Sequence, residues 1–117
     1  SSSAASDVYK RQLYIPTDNT IANNTEIVKN VAVPAGIPVV TGEEGMCSGC
    51  GLATLSISYY DLGVKAAEMA YEILTNGADP AQMAIGYVTD GITEKYNADI
   101  AEALNITIPE DMVAIEN

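Results

Sequence analysis

Short apolar runs alternate with helix-like segments along the chain, and this alternation constrains the fold more than any other feature of the sequence. Each apolar run is bounded by proline, glycine or a polar turn. The predicted strands are Leu13–Ile15, 37–41, 52–57 and 84–88. Strands that alternate with helices in this way are typical of βα units and a mainly parallel sheet. The sequence therefore predicts an α/β fold.

The clearest helix is predicted to begin at Ser58. Apolar side chains recur beyond it at helical spacing, and Ser58 with Asp61 forms a capping-box pattern. Gly77 and then Pro80 are expected to end this helix, since glycine favours the residue after a helix and proline cannot continue one. Tyr59 and Tyr60, at its start, are interpreted as packing residues.

The other helices carry weaker signals. One is predicted to follow the cap-forming residues 17–20 and to close at Gly36, and a short last helix is predicted over 97–104. Residues 46–51, which are rich in glycine and show no helical period, are predicted to form a loop.

Charge and composition exclude several functions. The 117 residues include 16 acidic and 5 basic side chains and no histidine, for a formal net charge of −11. A chain this acidic repels phosphate backbones and anionic lipids, so no nucleic-acid partner is expected. Without histidine, no imidazole base and no His-ligated zinc or haem can form. A hydrophobic content of 48% nevertheless indicates a folded unit with a core.

The spacing of Cys47 and Cys50 matches that of dithiol enzymes and of half a zinc site. A redox thiolate is disfavoured here, because two glutamates precede the pair and the strand-like residues 52–57 follow it. A zinc site would need carboxylates as its remaining ligands, and we expect no metal. A disulfide between Cys47 and Cys50, or two small loop cysteines, are the remaining interpretations.

Polar residues follow the first two predicted strands. Thr17, Asp18 and Asn19 come after the first strand, and Gly42, Glu43 and Glu44 come after the second. Ligands of parallel sheets bind beyond the carboxyl ends of the strands. Carboxylates without a nearby base favour an ammonium group, sugar hydroxyls or a hard cation over a phosphate. The same residue types also serve as helix caps and solvated turns, so that interpretation stays open.

Four segments of the chain together resemble the C-terminal part of ABC-transporter substrate-binding proteins of the type I periplasmic-binding-protein fold. They read YIPTDNT, GIPVVTGEEG, GLATLSISYYDLGVKAAEMAYEIL and ALNITIPED, and they cover residues 14–20, 36–45, 51–74 and 103–111. The resemblance implies a two-lobed, exported and lipid-anchored α/β protein that closes on a small solute and delivers it to ABC permease subunits. Some members of the family bind aromatic amino acids.

The resemblance implies roles for the two polar turns and a partial fold for the chain. Thr17, Asp18, Asn19, Gly42, Glu43 and Glu44 are expected to bind the solute, with Asp18 as the first choice for a ligand ammonium group. Glu43 or Glu44 would be a second acceptor or a hinge residue. No catalytic residue, cofactor or enzymatic activity is expected, and the whole protein is expected to lie outside the cytoplasm, held to the membrane only through a lipid anchor missing from this chain.

Only about the last third of such a protein is covered. We therefore interpret residues 13–117 as the C-terminal part of a truncated solute-binding protein, and residues 1–12 as a disordered, non-native leader that resembles a translated sequencing adapter. The helix that begins at Ser58 is then expected either to pack on the remaining strands or to expose apolar surface. The alternative is a small cytoplasmic α/β domain with a thiol switch at Cys47 and Cys50 or a carboxylate-based function.

Overall fold

The computed structural model of the protein describes residues 12–116. The interpretation of residues 1–12 as a foreign leader therefore falls, except for Gln12, outside the described residues. In chain order the elements are β1 (Leu13–Ile15), α1 (Asn19–Ala22), α2 (Thr25–Ala32), β2 (Val39–Thr41), α3 (Glu44–Cys50), β3 (Ala53–Ser56), α4 (Tyr59–Asn76), β4 (Thr93–Tyr96), α5 (Ala98–Ala103) and β5 (Val113–Ala114).

The five strands form one sheet in the order β1-β2-β3-β4-β5. β1, β2 and β3 are parallel neighbours, β4 runs antiparallel to β3, and β5 is parallel to β4. At the end of the β3–β4 ladder, Ser56 lies opposite Thr93. The predicted α/β fold with a mostly parallel sheet is confirmed.

The apolar core lies where α2 and α3 pack near β1 and β2. Its buried members are Ile15, Ala32, Val39 and Met46, with Ile21, Val28 and Ile37 packed around them. This arrangement explains the positions of the first two strands, because each strand contributes an apolar residue to a cluster that the helices complete.

The chain divides into two compact units. The first contains the sheet and consists of the chain up to Ser56 together with the chain from Thr93 onward. The second is Ile57–Ile92 and contains α4. Ser58 caps α4 by accepting a hydrogen bond from the Asp61 backbone N–H, and Gly77 ends the helix with a left-handed φ of 70°. Both ends of this helix are thus as predicted.

None of the residues of α4 is buried. Tyr59 and Tyr60 are 67% and 79% exposed, so the interpretation of this pair as packing residues is wrong for the described chain. Tyr71 and Leu74 of the same helix are exposed as well. No helix within residues 12–116 combines the length and the apolar character needed to cross a bilayer.

Three other predictions of local structure are wrong. The first predicted helix is interrupted at Asn23 and Asn24, so α1 and α2 are separate, although Gly36 does adopt a left-handed φ of 68° beyond them. Residues 46–51 belong largely to α3 rather than to a loop. Residues 84–88 form no strand in the described chain, because a strand needs the backbone hydrogen bonds of a neighbour, which apolar character alone does not supply.

Candidate functional site

The two polar turns predicted to bind a ligand lie side by side at the carboxyl ends of β1 and β2. The Gly42 backbone N–H donates to the Ile15 carbonyl over 2.9 Å. A Cβ placed on Gly42 would come within 2.7 Å of the Thr17 backbone nitrogen and 2.8 Å of Thr17 Oγ1. Any residue other than glycine would therefore push the turns apart.

Asp18 is the N-cap of α1. Its Oδ1 accepts a hydrogen bond of 3.0 Å from the Ile21 backbone N–H, and the residue is exposed. The capping role left open by the sequence is thus the one observed. A carboxylate has about four acceptor sites on its two oxygens, so one capping bond leaves capacity for a ligand. Thr17 and Asn19, on either side, are exposed as well.

Glu43 is the N-cap of α3, a role that the sequence analysis did not assign. Its Oε2 accepts a hydrogen bond of 2.8 Å from the Gly45 backbone N–H, and its Oε1 accepts one from the Met46 backbone N–H. Both carboxylate oxygens are therefore engaged by the start of the helix that follows. The negative charge also lies at the positive end of the helix dipole, which stabilises it there.

Glu44 lies in the first turn of α3 and links three elements of the sheet-containing unit. Its Oε2 accepts a hydrogen bond of 2.8 Å from Ser56 Oγ, at the end of β3, and forms an ion pair of 3.0 Å with Lys95 Nζ, on β4. The Lys95 hydrogen bond, followed by that of Ser56, lowers the pKa of the Glu44 carboxyl, so it is ionised at neutral pH.

Lys95 is the residue of this region that sequence reasoning missed. The β4 sequence Thr-Glu-Lys-Tyr has only its last side chain largely apolar, so it lacks the apolar run used to find the other strands. Side chains alternate weakly in character along residues 93–96, and a turn containing Gly91 precedes them. This is the sequence signal that could have identified β4 as a strand.

The two cysteines are free thiols, and both are buried on α3. No disulfide joins them in this structure, and they do not lie in a loop. Burial raises the pKa of the Cys47 thiol to about 11, and burial also raises the pKa of Cys50. A thiol switch needs an accessible thiolate, so these surroundings oppose that alternative. Within residues 12–116, no three potential metal-ligating side chains come together.

Asn97 connects the end of α3 to the start of α5. Its Nδ2 donates to the carbonyl oxygens of Cys47 and Ser48, over 3.1 and 3.0 Å, and its Oδ1 accepts from the backbone N–H groups of Asp99 and Ile100. The side chain is buried. It therefore satisfies carbonyls in the last turn of one helix and amides in the first turn of another.

Comparison with known proteins gives a consistent result. The family described as "ABC transporter substrate binding protein" matches residues 2–116 of the chain. A curated relative, the tyrosine-binding protein of Clostridioides difficile strain R20291, is 47% identical over 62 residues, which make up 53% of this chain and 18% of that protein.

Solved structures agree with this match. The ligand-free, open structure of a substrate-binding protein with adhesive properties from Clostridium difficile is 36% identical, with a TM-score of 0.68 over 90% of this chain and 36% of that one. An ABC domain in complex with L-Trp from Streptococcus pneumonia is 30% identical, with a TM-score of 0.72 over 90% of this chain and 37% of that one. A conserved domain protein from Vibrio cholerae is 28% identical, with a TM-score of 0.73 over 96% of this chain and 38% of that one.

The chain thus spans less than two fifths of the length of these solved relatives. Its sheet and helices correspond to part of a periplasmic-binding-protein fold, as the sequence resemblance implied.

Proposed function

The chain belongs to the family of ABC transporter substrate-binding proteins, and from this premise we propose that it takes part in capturing a small polar solute for an ABC import system. The solute is an amino acid, with aromatic amino acids as the first candidates. This choice is supported by the tyrosine-binding relative and by the relative solved in complex with L-Trp. The protein acts by binding and release and not as an enzyme.

The observation that carries this proposal is the contact between the Thr17–Asn19 and Gly42–Glu44 turns at the carboxyl ends of β1 and β2. Crevices beyond the carboxyl ends of parallel strands are where α/β proteins bind their ligands. Asp18 is exposed, and only one of its acceptor sites is used in the cap of α1, so it is our first choice for binding the ligand ammonium. Thr17 and Asn19 orient the polar end of the ligand.

The two glutamates of the second turn are not equivalent. Both oxygens of Glu43 cap α3, whereas both partners of Glu44 bind the same oxygen. Glu44 is therefore the better second acceptor, and Glu43 shapes the turn that presents it.

We further propose that residues 13–117 are the C-terminal part of a two-lobed protein that closes on its solute. The complete protein lies outside the cytoplasm, carries a lipid anchor and delivers the solute to ABC permease subunits. Sequencing of the source nucleic acid upstream of the Leu13 codon tests this proposal: a reading frame that continues through further βα units to a signal peptide supports it, and a genuine start near Ser1 contradicts it.

Binding is tested by calorimetric titration of the complete protein with L-tyrosine and L-tryptophan. We expect Asp18→Asn to weaken binding by about tenfold, because a charge-assisted hydrogen bond to the ammonium is replaced by a neutral one. Asp79→Asn is the matched control, since Asp79 also accepts a backbone hydrogen bond, from Ala81, on an exposed turn. The control is expected to bind like the wild type.

Two results would count against the proposal. If the wild-type protein binds neither amino acid, the amino-acid assignment is wrong. If Asp18→Asn and Asp79→Asn bind equally well, the ammonium site is not at Asp18, and its carboxylate serves only as the cap of α1.

A further inference from the structure

The Glu44–Lys95 ion pair has hydrogen-bonding capacity beyond the contacts it makes. Ser56 Oγ and Lys95 Nζ both bind Glu44 Oε2, at 2.8 and 3.0 Å. A carboxylate offers about four acceptor sites and an ammonium three donors, so neither partner is saturated by these bonds. The side chains of Lys95 and Glu44 are 26% and 38% exposed, so a solute can reach both.

The pair also supplies the charge that the polar turns lack. Asp18, Glu43 and Glu44 are all anionic, and on their own they would repel the carboxylate of an amino acid. Lys95 Nζ, which β4 places beside Glu44, adds a positive charge to the same edge of the sheet. Opposite charges therefore lie next to each other, within 3.0 Å.

We infer that Glu44 and Lys95 together recognise the zwitterionic head group of an α-amino acid. Lys95 donates hydrogen bonds to the ligand carboxylate, and Glu44 accepts one from the ligand ammonium. The ammonium and carboxylate groups of an α-amino acid are both bonded to the α-carbon. When the ligand lies antiparallel to the ion pair, its carboxylate is therefore beside Lys95 and its ammonium is beside Glu44. This inference rests on the proposed function and names two residues that hold the head group.

The geometry of the pair is set by regular structure. Ser56 ends β3, Lys95 lies in β4 opposite Thr54, and Glu44 lies in the first turn of α3. Ser56 is a positioning residue, because it holds the Glu44 oxygen that Lys95 also binds. Groups fixed in this way lose little conformational entropy when they bind a ligand, which favours discrimination between close analogues.

The experiment compares three probes by calorimetric titration of the complete protein: L-tyrosine, tyramine, which lacks the carboxylate, and 3-(4-hydroxyphenyl)propionate, which lacks the ammonium. We expect the wild type to bind each analogue at least about tenfold more weakly than tyrosine, because one charged partner is left unpaired. Lys95→Met should weaken tyrosine binding until it approaches that of tyramine. Glu44→Gln should reduce the preference for tyrosine over the propionate without abolishing it, because Asp18 still accepts a hydrogen bond from the ligand ammonium.

Two further variants keep the test specific. Lys95→Arg retains the charge and should retain the preference for tyrosine over tyramine. Lys29→Met removes the same charge from an exposed position on α2 and should bind all three probes like the wild type. Thermal unfolding of each variant without ligand reports whether a loss of binding accompanies a loss of folding.

The outcomes separate this inference from the proposed function. If the wild type binds tyramine more tightly than tyrosine, the inference is wrong while amino-acid binding stands. It is also wrong if folded Lys95→Met binds tyrosine far more tightly than tyramine. The same holds if Lys95→Met keeps the full wild-type preference. If the wild type binds neither tyrosine nor tryptophan, the proposed function fails, and the inference fails with it.

Discussion

At the scale of single residues, Asn97 contributes more to the packing of the sheet-containing unit than its short side chain suggests. Its four hydrogen bonds join the carbonyl end of α3 to the amide end of α5, and the side chain is buried. We expect Asn97→Ala to lower the free energy of unfolding by about 1–3 kcal/mol, because it removes the N-cap of α5 and the side-chain hydrogen bonds that join α5 to α3. Urea denaturation measures this.

Asn76→Ala is the matched control for that change. Asn76 is exposed at the end of α4, and its Nδ2 donates to the Glu72 carboxylate over 3.0 Å. Removal of this exposed bond should change the free energy of unfolding by less than about 0.5 kcal/mol. Equal effects of the two substitutions would show that Asn97 does not join the helices as described.

The Cys47 thiol gives a second prediction at this scale. Its pKa is raised from 9.0 to about 11, chiefly by burial, so folding favours the protonated form. This contribution to stability is fully present below pH 9 and is lost as the pH rises toward 11. At pH 8 we expect iodoacetamide to alkylate Cys47 at least about tenfold more slowly in the folded protein than in urea. A fast-reacting thiol in the folded protein would restore the thiol-switch alternative.

At the scale of the elements, the strands and helices that were predicted correctly are those with a clear apolar pattern or clear capping residues. β1 and β2 were found from their apolar residues, which enter the core, and α4 was found from its periodic stripe and from Ser58 and Gly77. These features depend on nearby residues, so a single sequence is enough to find them.

The missed elements depend on contacts between distant residues. α3 has glycines at positions 45 and 49 and no clear stripe, and it is held instead by the Glu43 cap and by burial of Met46 and both cysteines. β4 is polar and exists as a strand through its ladder with β3. Lys95 joined the candidate site only once that ladder placed it beside Glu44, fifty-one positions earlier in the chain.

Packing between α2 and α3 leads to a prediction about Gly49. A Cβ at this position would lie 2.6 Å from Thr25 Cβ and 3.0 Å from Thr25 Cγ2. We expect Gly49→Ala to lower the free energy of unfolding by about 1–3 kcal/mol, because overpacking outweighs the better helix propensity of alanine. Thermal or urea unfolding measures the change.

Gly63→Ala is its matched control on α4. A Cβ at Gly63 meets nothing within 4 Å, so the substitution should be neutral or should stabilise the helix by up to about 1 kcal/mol. A stabilising Gly49→Ala would mean that α2 and α3 lie farther apart than this structure has them.

At the scale of the whole molecule, several large apolar side chains of the second unit, Ile57–Ile92, are exposed. Within residues 57–92, Tyr71, Leu74, Ile85 and Tyr87 are each at least 60% exposed. We expect the chain to self-associate with rising concentration, as measured by sedimentation velocity, because exposed large apolar side chains favour association.

Substitution of Tyr71 and Leu74 by glutamate should shift that association to higher concentration. Substitution of exposed Glu68 and Glu72 by glutamine leaves the apolar surface in place and is the control. A chain that stays monomeric at every concentration would show that this surface is covered or too dispersed to drive association.

Ser56 and Thr93 form the last rung of an antiparallel ladder, so the backbone departs from the sheet and returns to it at a single place. Residues 57–92 are therefore an insertion between two paired strands of the sheet. A two-residue Asn-Gly reverse turn is enough to connect paired antiparallel strands, so we expect that residues 57–92 can be exchanged for such a turn with the strand order unchanged. The shortened chain would keep both polar turns and the Glu44–Lys95 pair. A foreign domain inserted at the same place would be held by the two paired strands β3 and β4.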